Sequence, residues 1–179
     1  MTSAPTRLRL ADLASRKPTR FNIAPTGAAL AALQEMFEVD DLRKLRFEGH
    51  ISPQGKRNWF LSAHLGATVV QPCVSTFAPV TTRIEEEVER LYTDTPPEVE
   101  DASEIEMPED DRIEALPEEI DLMAILSEAL ALAIPAFPRA EDAPAVEISV
   151  TEPGKEAMTD DDAKPFAGLA DLLKKSDET

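Results

Sequence analysis

The chain has little of what most chemistry requires. Its single cysteine, Cys73, excludes an intramolecular disulfide. With two histidines, His50 and His64, it musters at most three soft metal ligands, and none are spaced as the close pairs typical of zinc sites. Six glycines scattered singly cannot build a phosphate-cradling loop. The longest nearly uncharged run, Ala129 to Ala136, is too short to cross a bilayer. Met1-Thr2-Ser3-Ala4-Pro5 lacks the charged start and apolar core of a secretory signal, so a soluble, cytoplasmic protein is expected.

Acid is what the chain has in quantity. The formal net charge is −17 over 179 residues, a length that fits one domain plus tails. The charge is unevenly spread: residues 1–60 carry ten Lys/Arg against six Asp/Glu, whereas residues 85–119 carry sixteen acids against two arginines. Such a balance repels a phosphate backbone at long range, which argues against a dedicated sequence-nonspecific nucleic-acid binder. It attracts basic partners instead, and the basic first third leaves a local exception open. The carboxylates form a run, which reads as a solvated, self-repelling segment rather than a general acid/base pair.

Hydrophobic periodicity organises the first two thirds. Leu8 and Leu10 alternate with Arg7 and Arg9, and Phe21 and Ile23 alternate within Thr19 to Ala24, as short strands do. Thr26 is the expected N-cap of a helix over Ala28 to Glu38, with Leu30, Leu33 and Phe37 on one stripe. From Leu45 to Ile51 the period is two. After the turn residues Ser52 to Lys56 it resumes from Trp59 to Val70, so the two segments form a hairpin. A third strand runs from Val80 to Tyr92 and pairs with the second, leaving Pro72 to Pro79 as the connection. Residues 94–118, acidic and holding four prolines, are expected to be a mobile loop, because they bury too little apolar surface to offset their ordering entropy. Asp121 then caps an apolar helix over Leu122 to Ile134, which must be largely buried and is stopped by Pro135.

The resulting expectation is an α+β domain over residues 1–140: an antiparallel sheet of about four to six strands packed by two helices, with the acidic loop as an insertion. Residues 141–163 read as a flexible linker and residues 164–175 as a short amphipathic helix, Phe166, Leu169, Leu172 and Leu173 supplying its apolar residues. That helix either docks on its own domain or enters a partner groove; both need the same stripe.

The stretch Thr68 to Val80, TVVQPCVSTFAPV, places Cys73 after a proline near a turn, where one half of a Cys-x-x-Cys pair often sits. The completing position is Thr76. Nothing nearby in the sequence would activate Cys73 as a nucleophile. Arg7, Arg9, Arg43, Lys44, Arg46, Lys56 and Arg57 form the candidate RNA-contacting group, although interleaved aromatics are lacking.

The order of these pieces resembles the YceD-like family. The carrying features are the strand–turn–strand around Cys73, Glu119-Ile120-Asp121-Leu122 opening an apolar helix that ends at Pro135, and the terminal Pro165-Phe166 helix. The resemblance implies a bacterial protein supporting accumulation of the large-subunit (23S) ribosomal RNA. Many members of that family carry a second cysteine at the turn and others after the helix, together like a zinc site. Here Thr76 and Ala136-Phe137-Pro138-Arg139 stand in those places, so no metal and no cofactor is expected, and packing by Phe77 and Phe137 is expected to replace the clamp.

The sequence therefore points to a non-enzymatic ribosome-biogenesis factor. Its expected partners are a ribosomal protein or another component of the large-subunit precursor, with rRNA possible and no membrane or small-molecule substrate. Glu85, Glu87, Glu89, Asp110 and Asp111, with the terminal apolar residues, are the candidate protein contacts; a purely solubilising acidic loop is the plainer alternative. An acidic chaperone or adaptor for a basic ribosomal protein, without RNA contact, is a second reading. An RNA-processing enzyme using His50, His64 and Cys73 is a third.

Overall fold

The computed structural model describes residues 6–55, 57–95 and 112–144, with 152 and 154. The chain divides into two units, Met1–Glu141 and Asp142–Thr179, and every element below lies in the first. Lys56, Asp110, Asp111, most of the expected linker and the whole terminal helix with Phe166, Leu169, Leu172 and Leu173 lie outside the described residues.

In chain order the elements are β1 (Arg7–Arg9), β2 (Thr19–Ile23), α1 (Ala28–Met36), β3 (Asp41–Gln54), β4 (Asn58–Pro72), β5 (Pro79–Thr93), β6 (Ile113–Ala115), β7 (Glu119–Asp121) and α2 (Leu122–Ala133). Five strands form one sheet in the order β2-β3-β4-β5-β6, and β1 pairs with β7 in a second. The fold is thus α+β with a sheet backed by two helices. Its backbone is the long β3–β4–β5 meander: β3 and β4 turn around Gly55, whose φ of +70° is the left-handed conformation that glycine adopts without a Cβ penalty. Pairing of β4 with β5 runs unbroken from Trp59↔Tyr92 to Pro72↔Pro79.

The two-residue alternation decides which face is buried. Phe47, Ile51, Leu61, Leu65, Ala67 and Val69 are fully sealed from solvent, and the helices close over them. Leu33 of α1 joins this core, as do Leu122, Ile125, Leu126, Ala129 and Leu130 of α2. Each large side chain so buried contributes about 1.5–3 kcal/mol. At Phe21↔Gly49↔Ala63 the strands approach closely: a Cβ on Gly49 would lie 2.3 Å from the Ser62 carbonyl oxygen. Only glycine fits there.

Several local expectations are corrected. The N-cap of α1 is Gly27, with no side-chain hydrogen bond, and Thr26 does not cap it; the helix also ends at Met36, not Glu38. Residues 113–115, inside the stretch expected to be a loop, form β6, and β6 runs parallel to β5 in an otherwise antiparallel sheet. Leu8 and its neighbours form a strand because β7, immediately before α2, offers them a partner far away in sequence. The α2 helix is buried on one face only: Leu132 is 81% exposed. In sequence it reads as one more apolar residue, but it falls off the stripe that meets the sheet.

Candidate functional site

The Cys73 turn is closed by backbone, not by aromatic packing. Phe77 and Phe137 are 81% and 82% exposed, so the expected aromatic clamp does not exist. Instead the Cys73 N–H donates to the Ala78 carbonyl at 2.8 Å and the Phe77 N–H to the Cys73 carbonyl at 3.0 Å. The chain beyond α2 is tied to this turn by the Val74 N–H donating to Pro138 O at 2.9 Å and Gln71 Nε2 donating to Pro135 O at 3.2 Å. Cys73 has no exposed surface, yet lies outside the main apolar cluster. Its sulfur lies 3.4 Å from the Ser75 hydroxyl and accepts from the Ala140 N–H at 3.4 Å. Hydrogen bonding by the Ser75 and Thr76 hydroxyls, then by the Ala140 and Ser75 backbone, lowers its pKa to about 6. Cys73 is thus a polarised sulfur that joins the turn to the segment after α2.

The outward face of the sheet carries His64. Register sets Glu48 and Glu87 directly beside it on the neighbouring strands. Its ring nitrogens lie 2.6 Å from Glu85 Oε2 and 2.9 Å from Glu87 Oε1, and hydrogen bonding to Glu85 first, then Glu87, raises its pKa above the ordinary histidine value. Arg83 reaches the same Glu85. Hydrogen bonding by Arg83 first, and then by His64, holds the Glu85 carboxyl below its usual range. His50 lies on β3 opposite Ser62 and beside Arg20 of β2, and Cys73 lies past the end of β4. The residues considered for catalysis therefore have three different settings: an ion cluster, a basic edge and a sealed turn.

The arginines among the candidate RNA-contacting residues are dispersed and paired with acids. Arg7 bonds Asp121 at 3.0 Å, Arg9 lies 3.8 Å from Glu119, Arg43 2.9 Å from Asp41, Arg46 3.9 Å from Glu48, and Arg57 2.8 Å from Asp94. Lys44 sits at the β3 irregularity between Arg43 and Arg46, with φ of +52°. Lys17, Arg20 and His50 line a shallow depression with Pro18.

Among the candidate protein contacts, Glu85, Glu87 and Glu89 stand exposed and alternate along β5, Glu89 bonding Arg112 at 2.7 Å. Between the β5 edge and α2 lies an open groove of about 440 Å³ lined by Glu86, Glu87, Glu89 and Glu128, by Arg90 and Arg112, and by Val88, Ala129, Leu132 and Ala133. Arg90 is its floor. It bonds Glu114 of β6 and, at 2.6 Å, Glu128 of α2, joining three elements. Burial opposes its charge, but the two carboxylates outweigh that and raise its pKa. Burial, reinforced by Glu114, also pushes neighbouring Tyr92 up to about 12. Glu128 and Leu132 carry no sequence signal, because the groove forms only when α2 lies along β5. The legible signals were Glu86 and Arg90, charges at inward positions of β5.

Among the described residues, no group of three or more His, Cys, Asp or Glu is arranged to hold a metal ion, and no helix is long and apolar enough to cross a membrane. The family model of the large ribosomal RNA subunit accumulation protein YceD matches residues 61–173, more than half of the chain. No curated protein and no solved structure matches it.

Proposed function

Since the chain belongs to the YceD family and so has a role in large ribosomal subunit RNA accumulation, we propose that it acts there by binding a basic ribosomal protein, not by catalysis. In this reading it is a cytoplasmic, bacterial ribosome-biogenesis factor that holds a cationic component of the large-subunit precursor. One observation carries the reading. Five arginines of the basic group face carboxylates, and although Glu85, Glu87 and Glu89 in turn meet Arg83, His64 and Arg112, β5 holds four exposed acids ahead of a segment, 96–111, with eight acids and no base. Long-range attraction thus favours a cationic partner.

Direct rRNA contact is the second reading, favoured by the depression of Lys17, Arg20 and His50, for which no acid partner stands among the described residues. Pull-down from cells separates the two. With Glu86, Glu87, Glu98, Glu100, Asp110 and Asp111 changed to Gln or Asn, recovery of basic ribosomal proteins should fall sharply. Unchanged recovery of those proteins would reject the protein-partner role, and loss of rRNA upon Arg20→Ala alone would favour the RNA reading.

A further inference from the structure

The strand β5 has fifteen residues, but its two neighbours cover it very unequally. On one side β4 pairs with it from Pro79 to Tyr92; on the other, β6 pairs only with Leu91, Tyr92 and Thr93. Among the described residues, the edge from Val80 to Arg90 has no strand beside it. A strand's alternate N–H and C=O groups point to each side, so this edge offers a row of unpaired ladder positions. Proteins usually blunt such an edge with short length, proline, a bulge or charged side chains. Here the run is long, its pairing with β4 shows no irregularity, its proline is confined to the first residue, Pro79, and its charges are four acids against two arginines, which deters another acidic edge but not a basic strand.

We infer that this edge accepts an extended basic peptide as an added strand, seated in the groove between β5 and α2. The inference deepens the proposed binding of a basic partner and rests on it. A strand laid against β5 would alternate its side chains between the two faces of the sheet. Residues on the inner side would meet Leu132, which is 81% exposed, and Ala133. Residues on the outer side would stand beside Glu85, Glu87 and Glu89. The groove itself has four carboxylates against two guanidinium groups; Arg90 engages Glu128 and Arg112 engages Glu89, which leaves Glu86 and Glu87 as the excess charge. Charge complementarity therefore selects lysine or arginine outside and an apolar residue inside, alternating. An acidic strand, including a second copy of β5, would meet like charges across the ladder, which is unfavourable.

The test uses the full chain and a peptide of about ten residues alternating lysine and valine, with a control N-methylated at every second residue along one edge. Amide exchange of Val80–Arg90 should slow on binding, and N-methylation should weaken affinity at least about tenfold, since several ladder bonds are lost. Leu132→Lys, at an exposed position that folding does not use, should also weaken binding by about tenfold. Binding unaffected by N-methylation or by Leu132→Lys, with β5 unprotected, would overturn strand addition and leave the basic-partner reading standing. Absence of binding by either peptide would overturn both. Protection of Val80–Arg90 in the free chain, at the level of β4, would mean that the chain fills its own edge and would overturn the inference as well.

Discussion

Removing the carboxylate of Asp121 tests how α2 is started. The first N–H groups of a helix lack intrahelical acceptors, and three of them find one here. Asp121 Oδ1 accepts from Met123 N at 3.0 Å and from Ala124 N at 3.1 Å, while the Leu122 N–H donates to Thr6 O at 2.8 Å, which ties the helix to the strand pair β1–β7. Asp121 also bonds Arg7, but those side chains are 34% and 66% exposed, so solvent screens the pair. Loss of an N-cap to alanine costs about 1 kcal/mol, within a range of about 0.5–2. An exposed ion pair adds about 0–0.5 kcal/mol. Asp121→Ala should therefore lose about 1–1.5 kcal/mol in urea unfolding followed by far-UV circular dichroism, a fall of about 3–5 °C in Tm for a domain of this size. Asp121→Asn retains an acceptor oxygen and should lose no more than about 0.5 kcal/mol, as should Arg7→Ala. If Asn and Ala cost the same and Arg7→Ala matches them, the ion pair rather than the cap holds the helix start, and the reasoning is wrong.

Gly49→Ala should cost about 1–3 kcal/mol in the same unfolding assay, because the new Cβ would fall 2.3 Å from Ser62 O and 2.6 Å from Ala63 Cα, both backbone atoms that cannot turn aside; a neutral result would mean that the β3–β4 spacing relaxes. For His64, the folded pKa is raised, so its contribution is fully present below the unfolded value of about 6.5 and is lost as pH rises through the higher folded value. The stability difference between the parent and His64→Gln should accordingly be larger at about pH 6 than at about pH 8.5, and a difference independent of pH would show that the carboxylates do not act on the ring.

Much of this architecture was legible because it follows from local rules. The strands β3, β4 and β5 announce themselves by alternation, since a sheet with one buried face demands a period of two. Asp121 before LMAIL is legible as a cap because its short carboxylate reaches back to the helix's own N–H groups. The turn at Cys73 was visible in Gln71-Pro72-Cys73, but its fastening was not: Phe77 and Phe137 look like packing residues in sequence and stand in solvent, while the joins are the Val74 N–H to the Pro138 carbonyl and the Ala140 N–H to the Cys73 sulfur, between residues distant in the chain.

By itself, the sequence determined the fold class, the meander, the capped apolar helix and the acid excess, for these depend on periodicity, on neighbouring residues and on composition. Tertiary structure alone decided which charges meet. It put Arg7 against Asp121 and Arg57 against Asp94, so that residues read as one basic surface became separate ion pairs. It also laid α2 along β5 while pairing the short β6 with only three residues of that strand, which creates the groove and leaves the rest of that edge without a strand among the described residues. Both outcomes depend on approaches between residues distant in the chain, and these arise only when the helix and sheet bury their apolar faces together.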